Sequence, residues 1–176
     1  MAGGIISFEI GAQARDKGQC SLAAEVLRSS GTLRLRAAGV SMLPTLWPGD
    51  LLTVQSNRPE HAEPGEIVLY MRRGRFFIHR VVSKNPAEDE AFLITRGDSM
   101  PKDDPPVRKG EFLGKITEIR RAGSIFTPAP RLSLLSRVLA YMFCYWSLFR
   151  RAGLRLWLSR HRGDSRSEGT LIKAAS

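Results

Sequence analysis

Ser41 lies two residues after a glycine and three before a proline, in the stretch GVSMLPTLWPGD (residues 39–50). Proline restricts the backbone on both of its sides, so the segment reads as a rigid turn. A serine presented on such a turn offers its hydroxyl and its backbone amide to one space, a nucleophile beside an oxyanion donor. Serine needs a base to remove its proton. His79, in FFIHRVV, is the candidate, because strand alternation sets Phe77, His79 and Val81 on one face. His61, in the polar loop RPEHAEPG, and His161, in a basic tail, have less context. Three aspartates, Asp98, Asp103 and Asp104, fall in RGDSMPKDD. One of them would accept the His79 N–H, fix the tautomer and stabilise the imidazolium. Each feature also has a plain alternative: a turn serine, a half-buried histidine bonded to a carbonyl, a solvated capping aspartate. The aspartates could also bind a metal, but no further Asp/Glu/His pattern accompanies them, so none is expected, and a Ser-His mechanism needs no organic cofactor.

The elements that must position these groups are short. SLAAEVLR (residues 21–28) reads as a helix and is broken by Ser30 and Gly31. TLRLRA alternates as a strand with Leu33 and Leu35 on one face. LLTVQ, EIVLYM, FFIHRVVS, AFLIT and FLGKITEIRR follow as further strands, with RRGR (residues 72–75) as a hairpin tip. Short strands joined by Gly/Pro turns predict a mainly β, barrel-like domain over residues 31–123. Residues 1–30 precede it with the short helix. Residues 124–130 read as a linker, 131–162 as a hydrophobic and basic helical segment, and 163–176 as a disordered tail.

Taken together and in order, the motifs resemble the type I signal peptidases. GVSMLPTLWPGD is similar to that family's nucleophile box, roughly S-M-x-P-T-L-x-x-G-D. PGEIVLYMRRGRFFIHRVV is similar to the next two strands, FLITRGDSMPKDD to the acid box, and FLGKITEI to the closing strand. The resemblance covers about residues 31–121. It implies a signal-peptidase-like β fold and a serine endopeptidase that cleaves leader or signal peptides after small residues. At the base position, where the common bacterial enzymes have lysine, this chain has His79. That is similar to the endoplasmic-reticulum and archaeal-like branch, which belongs with the SOS-repressor peptidases to one superfamily. Imidazole suits the task without the strong desolvation that a lysine base requires. The resemblance assigns Ser41 as nucleophile, His79 as base and Asp104 as supporting acid. Asp98 would be structural or assisting, paired with Arg80. The position two before the nucleophile often carries an oxyanion-hole hydroxyl. Here it is Gly39, which shifts that work to the Ser41 amide. Ser99 stands where the family usually has asparagine.

The chain has 176 residues, a formal net charge of +10 and a hydrophobic content of 43%. Phe126 to Ser176 holds nine Lys/Arg against two Asp/Glu, so the basic character sits mainly in the tail. There it is interleaved with Leu, Phe, Tyr and Trp, a mixture that suits an anionic membrane surface. No nucleic-acid-binding signature accompanies it, and no nucleic-acid partner is expected. Cys20 and Cys144 lack CxxC spacing and imply neither a metal site nor a disulfide framework. The amino terminus shows no signal peptide or anchor, unlike the family pattern. The segment 132–158, whose apolar core Leu132–Phe149 contains Arg137, has two readings: membrane association, or a helix packed on its own domain or on a partner. Spanning and interfacial placements, and either side of the membrane, stay open. Two other readings keep the fold: an inactive peptide-binding or membrane-surface module, and a self-cleaving repressor-type peptidase. The second is disfavoured because Ala38-Gly39 lies too close to Ser41 to reach around as a substrate.

Overall fold

The structure, a computed structural model, describes residues 7–8, 17–84 and 91–145. The first long element is helix α1 (Lys17–Ser30). Its Cys20, Ala23, Ala24 and Leu27 are fully buried, the i, i+3, i+4, i+7 stripe of one helical face. The two alanines let the helix lie close on the sheet. Gly31, at a φ of 75°, ends it, and its N–H donates to the Leu27 carbonyl at 3.0 Å.

Nine strands follow or precede it among the described residues: β1 (Ser7–Phe8), β2 (Thr32–Arg36), β3 (Leu51–Ser56), β4 (Ile67–Arg72), β5 (Arg75–Lys84), β6 (Ala91–Arg96), β7 (Val107–Arg108), β8 (Phe112–Arg121) and β9 (Ser124–Phe126). They form one sheet in the order β1-β2-β3-β8-β4-β5-β6-β7, with β9 on β8. Every pair is antiparallel except β1 with β2. The mainly β class expected from the sequence holds. The sheet is open, however: β1 and β7 are its two edges and do not pair with each other among the described residues, so the barrel-like expectation becomes an open sheet. A one-turn 3₁₀ segment (Pro59–His61) and helix α2 (Leu134–Tyr145) complete the fold.

The run Ile67–Tyr70 is buried at every position, because β4 lies between two apolar clusters. Ile67 and Leu69 join the core under α1, with Leu33, Leu35, Leu52, Val54 and Ile119. Val68 and Tyr70 join the other, with Val81, Leu93, Val107 and Phe112. The RRGR tip is a two-residue turn in which Arg73 and Gly74 both have positive φ (53° and 73°), closing Arg72 onto Arg75. That turn fixes the β4–β5 register and hence the neighbours of His79. Gly114 in β8 cannot carry a side chain, since a Cβ there would lie 2.3 Å from the Gln55 carbonyl oxygen.

Arg72 braces this hairpin. Its Nε and Nη2 donate to Glu111 at 2.8 and 2.6 Å, and its Nη atoms reach the Pro105 and Pro106 carbonyls. The Arg72 hydrogen bond holds the Glu111 carboxyl below its ordinary 4.5, against the opposing effect of burial. A carboxyl depressed on folding stabilises the fold above its unfolded pKa and loses that contribution as pH falls through the folded value. Arg72→Met should therefore cost about 1–2 kcal/mol at pH 7. The gap from wild type should narrow below about pH 4.5, as urea unfolding at pH 7 and pH 3 would read. A gap that stays constant with pH would leave the carbonyl contacts as the whole effect.

Candidate active site

Three segments far apart in sequence converge on one side of β5. His79, 6% exposed, faces the Tyr70 cluster. Its Nε2 lies 2.9 Å from Ser41 Oγ and its Nδ1 lies 2.5 Å from Asp104 Oδ2. With the Nδ1 proton donated to the carboxylate, Nε2 is left as the acceptor for the serine hydroxyl.

Asp104 is held as an acceptor. The hydroxyls of Thr95 (2.8 Å) and Tyr70 (3.3 Å) donate to the same Oδ2 that takes the His79 proton. Its backbone N–H donates to the Thr95 carbonyl at 2.8 Å. Burial works to raise the Asp104 pKa. The hydrogen bond and charge of His79, with Thr95 and Tyr70, outweigh it and leave the carboxyl below the ordinary value. Burial pushes the Tyr70 phenol up to about 12, so it stays a proton donor at any working pH.

Of the other aspartates, Asp103 forms an exposed pair with Arg96 at 3.3 Å. The buried side chain of Asp98 takes both arms of Arg80, Nε at 2.8 Å and Nη2 at 2.9 Å. Thr45, in the turn that carries Ser41, also donates to Asp98. The Arg80–Asp98 pair thus ties the acid loop to the turn that carries Ser41. A second ion pair holds the far end of that turn: Arg121 donates to both oxygens of the buried Asp50 and to the Thr45 carbonyl. Asp50 in turn accepts from the Trp47 N–H at 2.8 Å. Met42, Leu43 and Leu46 anchor the turn in apolar surroundings.

Behind Ser41, the Ser99 hydroxyl fits closely. Its Oγ lies 2.9 Å from the Val40 carbonyl and 3.0 Å from the Ser41 carbonyl, and its N–H donates to the latter at 2.9 Å. In a trans peptide the N–H points opposite to the C=O. Tying the Val40 carbonyl back onto Ser99 therefore turns the Ser41 N–H away from the acid loop, and it has no acceptor among the described residues. Gly97 permits this approach, since a Cβ there would sit 2.6 Å from the Ser41 carbonyl oxygen. Gly39 leaves open space beside the hydroxyl; a Cβ there would meet only Ser41 Oγ, at 4.0 Å.

Sequence reasoning named Ser41, His79, Asp104, Asp98 and Arg80 but missed Tyr70, Thr95, Thr45 and the Asp50–Arg121 pair. Tyr70 was within reach of it: the RRGR turn sets Tyr70 opposite Phe77 and Val68 opposite His79, which makes Tyr70 a diagonal neighbour of the histidine on the same face.

The Peptidase S24-like family matches residues 2–117. The signal peptidase complex catalytic subunit SEC11 of Clavispora lusitaniae is 30% identical over 124 residues, 68% of this chain and 73% of that protein. Its namesake from Scheffersomyces stipitis is 32% identical over 54% of this chain and 58% of its own length. The one from Colletotrichum graminicola is 45% identical over 34% of this chain and 36% of its own. With a family match over well over half of its length, and a relative similar over more than two thirds of both chains, this chain belongs to the S24-like serine peptidases, in their signal-peptidase branch.

Proposed function

We propose that this chain cleaves leader or signal peptides, with Ser41 as nucleophile, His79 as general base and Asp104 as the acid that orients it. The observation that carries this reading is the unbroken line from Ser41 Oγ through both nitrogens of His79 to Asp104, at 2.9 and 2.5 Å. Ser41 Oγ attacks the scissile carbonyl while its proton passes to His79 Nε2. The imidazolium is stabilised by the Asp104 carboxylate. The developing oxyanion takes the outward Ser41 N–H. Collapse breaks the C–N bond, and the leaving amine takes the proton from Nε2, giving an acyl-enzyme. Water, deprotonated by the same nitrogen, then releases the acid and restores the serine.

The natural setting proposed is a membrane surface, reached through residues 132–158. Among the described residues no helix is long and apolar enough to cross a membrane; α2 has 12 residues, and residues 146–158 lie outside the described ones. Interfacial contact by α2 is supported by its outward Leu134, Leu135, Val138 and Tyr141. The test is a panel of leader peptides with varied residues at the cleavage site, incubated with the full chain in lipid vesicles and read by mass spectrometry. Cuts confined to positions after small residues are expected. No cut in any peptide, with or without lipid, would refute the assignment.

The space at Gly39 gives a gain-of-function prediction. Gly39→Ser would place a hydroxyl next to Ser41 Oγ without a clash. It should raise kcat, by up to about tenfold, with little change in KM, because the added donor serves the transition state. A fall in kcat would mean that the oxyanion lies elsewhere.

A further inference from the structure

Arg80 of β5 and Arg96 of β6 are register partners, so their side chains stand together on the face of the ladder opposite His79. With Arg131 and Arg137 they line a cleft of about 420 Å³ in which Asp98 is the one carboxylate. Two of the four cations are matched: Arg80 by Asp98 at 2.8 Å and Arg96 by Asp103 at 3.3 Å. Arg131 and Arg137 have no carboxylate partner among the described residues. They face the cleft from the segment leading into α2 and from α2 itself. The local excess of positive charge converges on one concavity, the arrangement that takes a phosphate or similar oxyanion.

What adjoins the cleft indicates the source of that anion. The inner face of α2 is docked on the domain: Ala140 and Phe143 are buried, and Phe143 meets Trp47 edge-on at 6.0 Å. Its outer face is apolar, with Leu134 79%, Leu135 71%, Val138 57% and Tyr141 64% exposed. Spacing of i, i+4, i+7 from Leu134 makes this one stripe. A free phosphate or an acidic peptide side chain would use the arginines and leave the stripe in water. A phospholipid uses both, its headgroup in the cleft and its chains against the helix.

We infer that the Arg80–Arg96–Arg131–Arg137 cleft binds the phosphate of an anionic phospholipid, with the outer face of α2 lying in the bilayer interface. This rests on the membrane association proposed above and deepens it. The cleft shares Asp98 and Arg80 with the clamp on the nucleophile turn, so a bound headgroup sits one ion pair from the Ser41 loop.

The test uses the full chain and dihexanoylphosphatidylglycerol below its micelle concentration, read by calorimetry, together with vesicles of phosphatidylcholine with and without phosphatidylglycerol. Arg131→Gln/Arg137→Gln should weaken binding of the short-chain lipid about thirtyfold, or about 2 kcal/mol. It should leave cleavage of a soluble peptide in detergent unchanged. Arg150→Gln/Arg151→Gln removes the same charge elsewhere in the sequence and should change short-chain lipid binding by less than about threefold. Inorganic phosphate should bind more weakly than the lipid. Equal affinity for inorganic phosphate would make this a site for a soluble anion and overturn the lipid assignment. So would equal lipid binding by the wild type and the cleft variant. If that occurs while anionic vesicles still recruit the protein, the cleft alone is wrong. If no vesicle recruits it, membrane association falls with it.

Discussion

His79→Ala should lower kcat by about 10⁴- to 10⁶-fold, with KM for a leader peptide changed little. Ser41→Ala should do the same, and the double variant should be no worse than either single one. Groups that act as a unit in one proton transfer are grossly non-additive, because removing the first already abolishes what the second contributes. The fold should survive. Asp104 keeps the Thr95 and Tyr70 hydroxyls, and the space vacated by the imidazole lies beside the rings of Tyr70 and Phe77. Circular dichroism and a urea melt would establish that the variants are folded, and initial rates on one cleaved peptide would read the effect. Multiplying losses in the double variant would show that the two residues do not share one step. A His79→Ala protein that cuts at the normal rate would remove the general base from the proposed mechanism.

The second large effect is on stability. Arg80→Met should destabilise the fold by about 3–5 kcal/mol, because it strands a buried carboxylate. Asp98 has a side chain only 3% exposed and would be left with the Thr45 hydroxyl as its remaining partner. Arg80 also donates to the Gly65 and Ala129 carbonyls at 2.7 and 2.8 Å, which adds to the loss. The control separates charge from packing. Arg80→Met combined with Asp98→Leu removes both members, and it should recover most of the stability. Urea midpoints of the three proteins would measure this. A single variant within 1 kcal/mol of wild type would mean that the Asp98 carboxylate does not depend on Arg80, and the clamp on the Ser41 turn would lose its basis.

Much of this architecture was legible in the sequence. The long strands and the RRGR turn were, because alternation and positive-φ turn chemistry are local. The helix begins four residues before the stretch whose composition marks it, because Gly18 weakens the helical signal of its first turn. The two-residue β7 and the three-residue β9 were not legible; strands so short exist through their partners rather than their own composition. In the site, the residues alone left Asp98, Asp103 and Asp104 equivalent, and only the resemblance singled out Asp104. Their separation is tertiary. Alternation puts Thr95, register partner of Val81, on the face of His79, and the Asp104 N–H bonds to the Thr95 carbonyl. Asp103 is left outside with Arg96. The bulge at Val82, where the β5–β6 register shifts, also interrupts the period on which any such reading depends.

The order of the sheet also bears on when this protein becomes a peptidase during its synthesis. The Ser41 half (β2 and β3) and the His79–Asp104 half (β4 to β7) are joined in the hydrogen-bonded ladder through β8, the last long strand among the described residues. A nascent chain that has not yet delivered residues 112–121 from the ribosome has no ladder connecting the two halves. Pairings of such long sequence separation form late, after their loop-closure entropy has been met. Proteolytic competence is therefore expected only once β8 has joined the two halves.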